Sequence, residues 1–130
     1  MKIKEMVNLL NGKLLIGEDK QDLELNKAYA ADLLSDVLAL TEEKTMLITG
    51  TTSPQVIRVA KLLDIPAIIF VRGKLPPGES MKFIRELNIP VIATSLTMFE
   101  TCGLLYSKGI RPCKNRPLHQ ITNHQIDGNE

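Results

Sequence analysis

The sequence predicts an α/β fold, a mainly parallel sheet flanked by helices, on two observations. From Thr45 to Ser107, strand-sized apolar runs alternate with helix-sized amphipathic segments. A short motif also occurs twice: Leu62-Leu63-Asp64-Ile65-Pro66-Ala67-Ile68 echoes Glu86-Leu87-Asn88-Ile89-Pro90-Val91-Ile92. In each copy a helix ends, Ile-Pro turns the chain and an apolar strand begins. Proline blocks the helix and presets an extended entry. Successive units of this kind are β-α-β crossings, which need parallel strands with helices packed over them. Two copies are too few for a solenoid.

Taken in order, Ile3, Met6, Val7 and Leu10 recur at helical spacing, so Lys2–Leu10 is expected to be a helix stopped by Gly12. Leu14–Ile16 follows as a short strand. Glu18–Asn26, with Glu18, Asp19, Asp22 and Glu24, is expected to be a surface connection. Ala28–Ala31 is extended and small-sided, and Asp32 is placed to cap a helix from Leu33 to about Leu40. Thr45–Thr49 is a strand, Gly50–Ser53 a turn, and Pro54–Leu63 a helix. Ser53 stands at its N-cap, and Pro54 at a first position where a missing amide costs nothing. Val56, Ile57, Ala60 and Leu63 form its inner face.

Ala67–Val71 has the composition of a buried strand. Arg72–Glu79 is a Gly/Pro-rich loop, and a helix from about Ser80 to Leu87 should bury Phe83, Ile84 and Leu87. Val91–Thr94 is a further strand. A helix then runs to about Ser107, with Thr97 and Glu100 at capping-box spacing. Residues 1–109 are expected to make one α/β domain. Residues 110–130, with Pro112, Pro117, both histidines and few large apolar groups, are expected to make a flexible or loosely docked tail.

Composition narrows the function. At 130 residues the chain suits a single domain, and 44% hydrophobic content supports a core. Sixteen basic against 15 acidic residues give +1, a balance that Arg111, Lys114 and Arg116 against Asp127 and Glu130 account for by themselves. Bulk charge therefore does not point to nucleic acid or to an anionic membrane. Aromatics at 4% with no Trp offer no stacking surface for single strands. No run approaches the ~18 apolar residues of a membrane helix, and the start lacks a signal-peptide core. Two cysteines make no disulfide framework, and a cytoplasmic setting is the simplest expectation.

In a parallel sheet, ligands bind outside the carboxyl ends of the strands. Three segments are expected at that edge. Thr49, Gly50, Thr51, Thr52 and Ser53 bring hydroxyls and amides ahead of a helix and can cradle an anion. Arg72 and Lys74 flank Gly73 and can neutralise it. Thr94 and Ser95 add hydroxyls. The Walker spacing is absent. Each segment also has a plain reading as a capped turn or a solvated loop. Asp32 and Asp36 could share one helix face as a metal or acid–base pair, with capping and solvation the blander alternative. Cys113, His119 and His124 fall short of the four ligands of a structural zinc site. Cys102 fits a buried stripe with Met98 and Leu105 and is expected to be a core thiol. With no histidine in the body, no Cys-His or Ser-His pair is in view, and neither cofactor nor metal is expected.

Several blocks carry a family resemblance. These are Ala30-Ala31-Asp32-Leu33-Leu34-Ser35-Asp36-Val37-Leu38-Ala39, Leu47-Ile48-Thr49-Gly50, Pro54-Gln55-Val56-Ile57-Arg58, Phe70-Val71-Arg72-Gly73-Lys74, and Thr94 through Gly103. Over about residues 1–110 the chain resembles the small stand-alone DRTGG-domain proteins, although the namesake string itself is absent. The resemblance implies a fold like the N-terminal domain of HPr kinase. It also implies a regulatory or dimerising module of the kind fused to CBS domains in regulated pyrophosphatases and found in phosphotransacetylases, with no residue established as catalytic. Stand-alone members resemble those encoded near iron-only hydrogenase and redox genes in anaerobes.

The resulting expectation is a non-catalytic regulatory module, homodimeric, that senses a small anionic metabolite or nucleotide, a phosphorylated small molecule among the candidates. Two other classes remain open. One is a protein–protein adaptor using the tail. The other is a phosphoryl-group enzyme, for which no base or metal cluster is visible.

Overall fold

The computed structural model describes residues 1–113 of the chain. The elements are α1 (Ile3–Leu9), β1 (Lys13–Ile16), a 3-10 turn (Glu18–Lys20), β2 (Lys27–Ala30), α2 (Leu34–Leu40), β3 (Thr45–Thr49), α3 (Pro54–Leu62), β4 (Ile68–Phe70), α4 (Gly78–Leu87), β5 (Val91–Ala93), α5 (Met98–Ser107) and β6 (Arg111–Pro112). The six strands form one sheet in the order β1-β5-β4-β3-β2-β6. β6, β2, β3, β4 and β5 are mutually parallel, and β1 closes the far edge antiparallel to β5.

The period-two alternation of the strands divides the core in two. Met46, Ile48, Ile69 and Ile92 face Ile3, Met6 and Leu10 of the α1 region and Leu105 of α5. Leu47, Ile68, Phe70 and Val91 face Val37 of α2, Val56, Ile57, Val59 and Ala60 of α3, and Ile84 of α4. Successive crossovers through α2, α3 and α4 thus cover one face, and α1 and α5 cover the other.

The repeated Ile-Pro motif has a structural cause in its acidic or amide residue. Asp64 and Asn88 both adopt the left-handed conformation, with φ of 56° and 54°. Asx residues tolerate that region and end helices there. The chain then reverses through Ile65-Pro66 and Ile89-Pro90 into β4 and β5, and the Ile68 amide donates to the Pro90 carbonyl.

Several expectations need correction. Asp32 does not cap α2: Leu33 occupies the N-cap with no side-chain hydrogen bond, and Asp32 lies outside the helix, so it does not share a helix face with Asp36. Ser53 holds the N-cap position of α3, also without a side-chain bond. Helix α4 begins at Gly78 behind Pro77; it buries Ile84 as expected, with Ser80 beside it and Leu87 packed against the core, but leaves Phe83 52% exposed. Leu63 falls just past α3. Ile110 is buried and β6 pairs with β2, so the chain stays in the sheet past residue 109. His119 and His124 lie outside the described residues.

The α5 capping box forms as its spacing predicts: Glu100 N–H donates to the Thr97 hydroxyl, and Thr97 N–H donates to Glu100 Oε1 at 3.0 Å. The hydrogen bonds from Thr97 hold the Glu100 carboxyl below its ordinary value. A depressed folded-state pKa contributes stability that is present above the unfolded value and is lost as pH falls through the folded one. Glu100→Gln should therefore lower the thermal midpoint at neutral pH, and the difference from wild type should vanish as pH drops below the glutamate range. Melting curves taken across that range check this.

Candidate functional site

All four central strands, β2 to β5, end at one edge of the sheet because they are parallel. Their following loops meet there through backbone bonds. Arg72 N–H donates to Leu96 O at 2.8 Å, and Gly73 N–H to Thr94 O at 2.9 Å. These tie the loop after β4 to the loop after β5. The Ala31 amide donates to Ile48 O, and Thr51 Oγ1 to Asp32 O, tying the ends of β2 and β3. Thr49–Ser53, Arg72–Lys74 and Thr94–Ser95 thus lie along a common rim.

Arg72 links the two halves of the rim. Its backbone is left-handed, with φ of 62°, as is that of Gly73 at 67°. For a residue with a Cβ this costs roughly 1 kcal/mol and persists only where surrounding bonds impose it. The two amide bonds just described do so here. The side chain then lies against Gly50: a Cβ built at Gly50 would come within 2.4 Å of Arg72 Nη2. Gly50 is needed at this position so that the guanidinium can approach the backbone.

Asp32, read from the sequence as a helix cap, is part of the same cluster. Its Oδ1 accepts from Gly50 N–H at 2.7 Å and from Thr49 Oγ1 at 3.3 Å. Its Oδ2 stands 3.7 Å from Arg72 Nη2, and both side chains are about half exposed (51% and 49%). The signal was available, since Asp32 follows the small-sided strand Ala28–Ala31 and so sits at a strand's carboxyl end. Capping propensity masked it.

The hydroxyls divide into two groups. Thr49 Oγ1 donates to Asp32 and accepts from Thr51 N–H. Thr94 is buried, donates to Leu10 O at 2.8 Å and accepts from Leu96 N–H. These two hydroxyls, with that of Thr51 on Asp32 O, build the rim. Thr51, Thr52 and Ser53 are partly exposed, and Ser95 and Lys74 are exposed. Cys102 is half-buried among Met98 and the α1/α5 core, and burial pushes its thiol above the ordinary range. It therefore stays a protonated core thiol at neutral pH.

Thr94 gives a test of the rim's construction. Thr94→Val keeps the shape but strands the Leu10 carbonyl and the Leu96 amide in a buried site. The loss should be about 1–3 kcal/mol in urea unfolding, with Thr94→Ser recovering most of it.

Comparison with known proteins places this geometry. The DRTGG domain matches residues 5–107. No curated protein matches the chain. Among solved structures, the chain is similar to the CBS and DRTGG domains of the regulatory region of Clostridium perfringens pyrophosphatase, a structure complexed with its activator, diadenosine tetraphosphate. The likeness has a TM-score of 0.67 at 19% identity and covers 80% of this chain and 45% of that one, so this chain spans less than half of its neighbour. The family match over residues 5–107, most of the chain, shows that the chain belongs to the DRTGG-domain family, and the α/β architecture agrees with it.

Proposed function

We propose that the chain is a non-catalytic regulatory module that binds a small phosphorylated metabolite or nucleotide at the rim and self-associates as a homodimer. The observation carrying the ligand reading is the strained Arg72, whose guanidinium lies over Gly50 at the carboxyl edge of the sheet. Lys74 adds a second exposed cation two residues on. Thr51, Thr52 and Ser53 provide hydroxyls ahead of the uncapped start of α3, where the helix dipole favours negative charge, and Ser95 adds an exposed hydroxyl in the loop after β5. The complex of a similar regulatory region with diadenosine tetraphosphate, a polyanion, supports the same ligand class.

Arg72→Ala should weaken binding of a phosphorylated ligand by about 1.5 kcal/mol, roughly tenfold, the lower end for a charge-assisted bond because the guanidinium is half exposed. A thermal-shift panel of nucleotides and sugar phosphates, followed by titration of the best hit, measures this. A wild-type chain that responds to none of them would count against the ligand reading.

Self-association is supported by α5. Outside the core it presents Phe99 at 88%, Tyr106 at 60% and Leu104 at 37% exposure. Beside it lies a groove of about 160 Å³ lined by Ala28, Ala30, Ile48, Cys102, Ile110 and Pro112. A helix apolar on both sides is ordinarily buried on both. A second copy of the chain is the proposed cover. Sedimentation at micromolar concentration should give twice the 14.5 kDa chain mass, and Phe99→Glu should return it to monomer. A monomeric wild type would remove this half of the proposal and favour a protein–protein adaptor using the same surface.

A further inference from the structure

We propose that Asp32 is a built-in competitor for the rim, a specificity-determining residue that shuts out monoanions and admits only ligands of higher charge. The inference rests on the rim being an anion site, and it concerns which anions can enter. Three contacts carry it. Asp32 takes the N–H of Gly50, the residue against which the Arg72 guanidinium packs, at 2.7 Å. It takes the Thr49 hydroxyl. Its other oxygen faces Arg72 Nη2 at 3.7 Å. A carboxylate thus already sits where an incoming anion would find its amide and its guanidinium.

A tethered carboxylate has a large advantage over a free one. Its translational freedom is spent on folding, and its effective concentration at the site is in the range of short intramolecular links, about millimolar or higher. A free monoanion offers no better bonds and must still be immobilised, so it does not displace Asp32. A di- or polyphosphate brings more charge to the guanidinium, and its extent allows it to engage Lys74 and the Thr51–Ser53 turn at the same time. At the pair itself, the Asp32 and Arg72 charges cancel, so the net attraction for any anion is lowered until Asp32 swings aside. Both side chains are half exposed, which leaves room for that movement without disturbing the core.

The test is titration of the full chain with inorganic pyrophosphate and, separately, with acetate. Wild type is compared with Asp32→Asn, Asp32→Ala, Arg72→Ala and the Asp32→Ala/Arg72→Ala pair, each with its thermal midpoint recorded. Asp32→Ala should bind pyrophosphate about tenfold more tightly than wild type, the scale expected for removing one like charge at this separation. Asp32→Asn, whose amide oxygen can keep the Gly50 bond without the charge, should fall between them. Acetate should bind Asp32→Ala measurably and wild type not at all. Adding Arg72→Ala should erase the gain. If wild type binds pyrophosphate and both Asp32 variants bind it equally or more weakly, the inference fails while the anion site stands. If neither wild type nor any variant binds it, both fail. If Asp32→Ala does not fold, Asp32→Asn decides alone: tighter binding supports the inference, and unchanged or weaker binding overturns it.

Discussion

Parallel pairing of β2 through β5 is the constraint on which the rest of the molecule depends. Antiparallel neighbours can be joined by a tight turn, whereas parallel ones require the chain to climb back over the sheet before starting again. Three such returns, through α2, α3 and α4, cover one face and leave the other to α1 and α5. The same geometry sends every carboxyl terminus of these strands to one edge. The loops leaving that edge meet one another because of strand direction, and the amide bonds from Arg72 and Gly73 to Leu96 and Thr94 fix them in place. A cluster assembled from residues as distant in sequence as Asp32, Gly50, Arg72 and Thr94 therefore follows from the topology.

Much of this topology could be read from the residues. Thr45–Thr49 is strand-like over its whole length, and its burial is complete. The two Asx-Ile-Pro turns announce helix ends and strand starts because a left-handed Asx and a proline leave the backbone few alternatives. The box between Thr97 and Glu100 is local in sequence and so was legible in sequence. What could not be read was long-range. That β1 runs against its neighbour depends on where α1 packs, and nothing local to Lys13–Ile16 encodes it. Phe83 was expected inward together with Ile84 and Leu87. Phe83 lies one position, about 100° around the helix, from the buried Ile84 and falls on the outer flank, while Ser80 completes the inner one.

Asp32 illustrates the same limit at the site. A carboxylate just ahead of a helical stretch has a strong local explanation as a cap, and that explanation needs only its neighbours in sequence. Its actual partners, Thr49 and Gly50, are 17 and 18 residues away. They become adjacent only once β2 and β3 pair in the register Ala30–Ile48. The rim also separates hydroxyls that share a residue type. Thr94 and Thr49 sit at strand ends and turn inward to complete the backbone, whereas Thr51 and Thr52 follow in the turn and stay partly exposed. Sequence gives the inventory of hydroxyls, and strand register decides which of them are already used.

A regulatory module must transmit the state of its ligand site to a surface that another chain can feel, and the proposed sites are connected by a short route. The Arg72 amide is bonded to Leu96, the residue before the Thr97 cap, and that cap fixes the start of α5. The same helix presents Phe99 and Tyr106 outward. Under the proposed reading, drawing the Arg72 guanidinium away from Asp32 loads a backbone that is already strained, and the first bonds to take up that load are those to Leu96 and Thr94. Thr94 is anchored below by the Leu10 carbonyl, and its hydroxyl in turn holds the Leu96 amide. Coupling of this kind requires the two ends to favour the same alternative arrangement. The amide bonds from Arg72 and Gly73 to Leu96 and Thr94 and one capped turn lie between them, so under the proposed reading α5 is the element whose position a rim ligand would bias.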